Sequence, residues 1–178
     1  MKKSYFALTI AGISLLLAAC TPGPVGTKRY QPYGGSDAAL IYTQVNERHS
    51  GLYYLQRFVK EGECYKDAEL MYISNNFMDG STKRLIESRI QPEQYWSLYV
   101  MDNSSGRQML TQTAFIPEAG KHYIAIDYKG VVEIPEDLQP SASDDLEQIY
   151  DKYQDKPART WNIRNGRCKF WFAKLMGG

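Results

Sequence analysis

Along most of the chain the apolar positions recur every second residue, in runs of strand length parted by turn residues. Residues 39–45 open the series, and 46–51 supply turn residues. In 52–60, Leu52, Tyr54 and Phe58 fall on one face and Tyr53, Leu55 and Val59 on the other. Both faces are apolar, which predicts a central strand packed on two sides rather than an edge. Glu61-Gly62-Glu63 predicts the next turn and 68–74 a further strand, ended by Asn75-Asn76 and Asp79-Gly80. Residues 81–90 fit either period, since Leu85, Ile86 and Arg89 also share a helix face. Their strand neighbours decide for strand.

In 94–102, Trp96, Leu98 and Val100 alternate with Tyr95, Ser97 and Tyr99, and Asn103-Ser104-Ser105-Gly106 predicts a hairpin into 107–116. Pro117-Glu118-Ala119-Gly120 turns into 121–129, with His122, Ile124, Ile126 and Tyr128 on one face, and 131–134 follow Gly130. A last strand is expected over 168–175, where Phe170 and Phe172 oppose Lys169 and Trp171. Only 143–153 has the helical period: Ser141 or Ser143 can cap it, acids fill its first turn, and Leu146, Ile149, Tyr150 and Tyr153 share a face. The spacing predicts an all-β, antiparallel β-sandwich over 38–178 with one short surface helix near 143–153.

The N-terminus follows other rules. Lys2 and Lys3 precede the uncharged run 5–19, which ends in small residues and is shorter than the ~20 residues of a spanning helix. Leu17-Ala18-Ala19-Cys20 resembles the lipobox of bacterial lipoproteins. The resemblance implies a signal peptide over 1–19, removal of that peptide, and a diacylglyceryl group on Cys20. Thr21 follows Cys20 instead of Asp, which under the enterobacterial sorting pattern implies the outer membrane. Residues 20–37 read as the lipidated cysteine and a flexible tether, whose Pro- and Gly-rich stretch 21–36, ~15 residues, would average roughly 20 Å and extend to about 50 Å.

Removing 1–19 from 178 residues leaves 159, one domain's worth. The leader takes two of the 21 basic residues, leaving 19 against 20 acidic, and no like-charge cluster stands out. That charge pattern gives nucleic acid no footing as a partner. Of the three cysteines, Cys20 is assigned to lipid, so Cys64 and Cys168 are expected to pair in an oxidising compartment, two unpaired thiols being the alternative.

His49 and His122 stand alone, without the spacing of a metal site, so neither a metal nor another cofactor is expected. Asp144-Asp145 sits at a helix start, where acids complement the dipole more often than they catalyse. No catalytic residue is assigned. The pairs Tyr53-Tyr54, Tyr95-Trp96 and Phe170-Trp171-Phe172 should each send one ring outward, because strand neighbours face opposite ways. Tyr53, Tyr95, Tyr99 and Trp171 would then form an exposed surface for a protein or glycan partner, unless helix 143–153 covers it.

Phe115-Ile116-Pro117-Glu118-Ala119-Gly120-Lys121-His122-Tyr123, followed by Cys168, resembles a group of small Ig-like bacterial lipoproteins. The resemblance implies an Ig-like sandwich with a structural disulfide and no activity. The expected function is therefore a non-enzymatic, lipid-anchored envelope protein: a periplasm-facing binding or assembly module, for example a secretion-system accessory lipoprotein. Its partners would be the bilayer, through acylated Cys20, and an envelope protein. The alternative is an envelope enzyme or enzyme inhibitor.

Overall fold

Strand pairing in this chain follows from alternation that is apolar on both faces at the middle of each sheet. The computed structural model describes residues 27–45, 51–75, 84–102 and 109–168. The leader, Cys20, His49, the 103–106 turn, Trp171 and the rest of the expected last strand past Cys168 lie outside them, and the expectations for those residues rest on sequence alone. Within the described residues the strands are β1 (Lys28–Arg29), β2 (Ala39–Val45), β3 (Gly51–Glu61), β4 (Cys64–Asn75) and β5 (Arg84–Ile90). They continue as β6 (Tyr95–Asp102), β7 (Met109–Phe115), β8 (His122–Ile126) and β9 (Gly130–Ile134). Two short helices follow, α1 (Leu146–Lys152) and α2 (Ile163–Gly166).

The strands make two stacked sheets, ordered β1-β4-β3-β6-β7 and β5-β2-β8-β9. The expected all-β sandwich is observed, and residues 81–90 contribute a strand rather than a helix. Ala39, Ile41 and Val45 of β2 and Tyr123 of β8 meet Tyr53 and Leu55 of β3 and Trp96, Leu98 and Val100 of β6 between the sheets. The sheets are mixed, whereas antiparallel pairing throughout was expected: β1 runs parallel to β4, and β2 parallel to β8. The β2–β8 pair lies at the centre of its sheet and is buried on both faces, the setting in which parallel strands occur.

Helix α1 covers the outer face of the four-stranded sheet. Leu146 is fully buried against Tyr42, Ile124, Val132 and Ile134. Asp145 caps the helix by accepting from the Glu147 N–H at 3.0 Å and the Gln148 N–H at 3.4 Å. Tyr150 donates to the Lys129 carbonyl at 3.0 Å across Gly130. A Cβ on Gly130 would lie 2.9 Å from the Tyr150 hydroxyl, and φ there is +136°, so glycine is what lets the helix seat.

The chain joins the sandwich earlier than the boundary at 38 drawn from sequence. Residues 28 and 29 pair with Met71 and Tyr72, and the Tyr30 N–H donates to the Tyr72 carbonyl at 3.0 Å. Tyr30 also donates its hydroxyl to the Arg89 carbonyl at 2.8 Å, and the Tyr33 N–H reaches the same carbonyl at 2.9 Å. Residues 28–33 thus form an arm laid across the gap between the sheets. Proline and glycine content reads as tether, yet Lys28 and Arg29, which precede the prolines and glycines of 31–35, pair at the sheet edge.

Candidate interaction face

The outer face of the five-stranded sheet carries a row of aromatic and polar side chains. Pairing sets it: Tyr54 opposes Tyr99, Gln56 opposes Ser97 and Phe58 opposes Tyr95 across β3 and β6. Tyr54 is 1% exposed and sits between Tyr72, at 5.9 Å between ring centroids, and Tyr99, at 5.7 Å. Among the described residues its hydroxyl finds no hydrogen-bond partner. Burial holds that hydroxyl's pKa above its ordinary value, helped by the two neighbouring phenols. Beside the rings, the Gln112 side-chain amide of β7 donates to Gln56 Oε1 at 2.7 Å and Ser97 Oγ at 3.0 Å. Gln56 and Ser97 are themselves buried, so this polar row is locked in place.

Residues 159–168 cross the same face as a strap. The Ile116 N–H donates to the Arg159 carbonyl at 2.7 Å, fixing the start of the strap at the end of β7. Trp161 then packs on Phe58 and Tyr65, with centroids 4.8 and 4.6 Å away, and donates its indole N–H to the Trp96 carbonyl at 3.0 Å. Asn162 caps α2 by accepting from the Asn165 N–H at 3.0 Å. The far end is held at β4: the Cys168 N–H donates to the Tyr65 carbonyl at 2.9 Å, and Cys64 and Cys168 form a disulfide with Cα atoms 4.9 Å apart. Arg167 pairs with both carboxylate oxygens of Asp67, at 2.6 and 2.7 Å, over the Phe58 ring.

Between the strap and β7 runs a groove of about 880 Å³. Leu110, Thr111, Gln112 and Thr113 form its base, and Tyr99 lines it from β6. Ile163, Arg164 and Arg167 wall it on the strap side, and Tyr128, from the β8–β9 turn, on the other. Thr111 donates its hydroxyl to Asp127, which fastens that turn to β7. Leu110 and Tyr128 are more than half exposed, at 55% and 57%. Rings, an amide, hydroxyls and guanidinium groups equip the groove to hold a partner by stacking, hydrogen bonds and charge. Among the described residues, no three His, Cys, Asp or Glu side chains gather as a metal ion would need.

Of the four aromatics expected on one exposed surface, the three among the described residues do not share it. Tyr53 is a correction: it opposes Val100 in the inter-sheet core at 3% exposure, on the face opposite Tyr95 and Tyr99. With both faces of β3 apolar, alternation alone does not tell inside from outside. Tyr95 lies beneath the strap, 4.6 Å from Tyr65 and 5.8 Å from Trp161, and only Tyr99 lines the groove. Trp171 and Cys20 lie outside the described residues. Helix 143–153 was weighed as the cover for this face and instead covers the other sheet. Sequence reasoning missed Leu110–Thr113, Tyr128 and Arg164; the signal available was the uncharged composition of 109–115.

No protein-family model, no curated protein and no solved structure matches this chain.

Proposed function

We propose that this chain is a non-enzymatic, lipid-anchored envelope protein. In this reading Cys20 carries the acyl chains at the periplasmic face of the outer membrane. The folded domain binds a protein partner there, in an envelope assembly such as a secretion machine. The observation that carries the reading is the groove along β7, because its rings, amide and guanidinium groups stand in fixed positions beside strand backbone that no other described strand pairs with. The docked arm supports it. From Cys20 to the first paired residue, Lys28, there are eight chain steps, so the domain stands within about 28 Å of its anchor. A partner would be met close to the bilayer.

The test is photocrosslinking in intact cells from a reactive residue at Tyr99, with exposed Lys152 on α1, the helix that covers the other sheet, as the control position. Discrete protein adducts from Tyr99 alone, lost when Cys20→Ser removes the anchor, are expected. Adducts of equal pattern from both positions, or lipid adducts only, would count against a binding module.

A further inference from the structure

We propose that β7 is a strand-addition site: an extended peptide segment bearing acidic side chains pairs with its open edge as a sixth strand of the sheet. This deepens the binding-module reading and rests on it. The groove touches four consecutive residues, 110 to 113. Successive strand residues face opposite ways, so a space that meets all four lies alongside the strand rather than over one face.

The backbone there is poised for pairing. The Ile116 N–H points away from β6, to Arg159. By alternation Ala114, Gln112 and Leu110 also direct their N–H and C=O outward, while Thr111 and Thr113 face β6. Among the described residues, no strand takes up these outward groups.

The other edges are defended. On β9, the Glu133 N–H donates to the Lys156 carbonyl at 2.8 Å, and the Ala158 N–H to the Val131 carbonyl at 2.9 Å. β4 is covered by β1 and by residue 168. β5 carries Glu87 and Arg89 and takes the arm at Arg89. β7, Met-Leu-Thr-Gln-Thr-Ala-Phe, has neither a charge nor a proline, the usual guards of an open edge. An unguarded edge beside a formed groove is how proteins accept a peptide strand.

The walls select the occupant. Tyr128 on one side and Ile163 with Arg164 on the other flank the edge, and the sheet edge of a second copy would bring its own walls into them. Among the described residues, no carboxylate lines the groove. Arg167 is engaged by Asp67, whereas Arg164 is exposed and forms no ion pair among the described residues. A guanidinium in that position favours an acidic segment.

The test titrates the isotope-labelled mature protein with three eight-residue peptides of alternating Thr and Val. One carries Glu at two positions, one Lys at the same positions, and one is the Glu peptide N-methylated along its pairing edge. The Glu peptide is expected to shift the amide signals of Leu110, Gln112 and Ala114 and slow their hydrogen exchange. It should bind about fivefold tighter than the Lys peptide at low salt, and the N-methylated form should not bind. Arg164→Glu should reverse the order of the Glu and Lys peptides. Leu110→Pro, which removes one outward donor from a half-exposed edge position, should weaken both.

Strand addition is overturned by absence of shifts up to millimolar peptide or by binding indifferent to charge. It is overturned equally if these amides are protected before peptide is added: at monomer mass the chain's own residues 169–178 hold the edge, and with concentration dependence a second copy does. Peptide failure with Tyr99 crosslinks intact removes strand addition alone. Loss of the crosslinks with peptide binding intact removes the cellular reading instead.

Discussion

Replacing both Cys64 and Cys168 with serine isolates what the disulfide contributes. The bond joins residues 104 apart in sequence. In the chain-entropy treatment, a loop of that size removes about 16 cal/mol/K from the unfolded chain, or ~4–5 kcal/mol at 25 °C. The folded state should survive the change, because the strap keeps its other attachments. Trp161 still fills the space between Phe58, Tyr65 and Tyr95, Arg167 still pairs with Asp67, and the Cys168 backbone still bonds to Tyr65.

The loss therefore falls mainly on the unfolded state, which becomes free to expand. Urea unfolding followed by tryptophan fluorescence should show a lower midpoint together with a steeper denaturant dependence, since a larger unfolded chain exposes more surface. Native-state hydrogen exchange should quicken most at residues 163–168. An unchanged midpoint, or a loss accompanied by release of Trp161 in the native state, would refute an unfolded-state origin for the stabilisation.

The two assigned tyrosines on opposite faces should separate cleanly. Tyr53→Ala empties a core position and should cost about 3–5 kcal/mol in urea unfolding, whereas Tyr99→Ala should cost much less and act on partner capture. Burial pushes the Tyr123 hydroxyl up to about 12 from its ordinary 10. The folded state keeps a proton that the unfolded chain releases, so this contribution is whole below pH 10 and fades as pH rises toward 12, by about 2–3 kcal/mol. Stability measured from pH 8 to 12 should fall over that window, and Tyr123→Phe should flatten the fall. Asp145→Ala removes the α1 cap and should lower stability by about 1 kcal/mol, read as a shift in melting temperature.

Much of the sandwich was legible because apolar alternation fixes where strands lie. The two-sided run at 52–60 foretold that β3 would be central, and it has β4 on one side and β6 on the other. The Glu61-Gly62-Glu63 signal fell at the β3–β4 turn, where Gly62 adopts φ +60°. Direction was not legible: Leu40 beside His122 reads the same whether β2 and β8 run together or opposed, and only the fold decides. Nor could periodicity find the strap. Helix α2 has four residues, just over one turn, and Trp161 is a lone aromatic in a polar stretch.

The site was the least legible part. A sheet with aromatic residues on both faces hides which ring belongs to the core, and the register of Tyr53 with Val100 and of Tyr54 with Tyr99 supplies the answer. The groove depends on four separated segments, at 99, at 110–113, at 128 and at 163–167, whose meeting no local pattern records. Composition did hold one clue, the uncharged run of β7. Its meaning emerged only once the other edges proved to be covered or charged.

Intact-mass spectrometry of the protein purified from bacterial membranes tests the anchoring claim most directly. The expected species begins at Cys20, weighs more than the bare 20–178 chain by two or three acyl chains with their glyceryl group, and disappears in Cys20→Ser. A chain that retains residues 1–19, or one that begins at Cys20 with an unmodified thiol, would contradict the account.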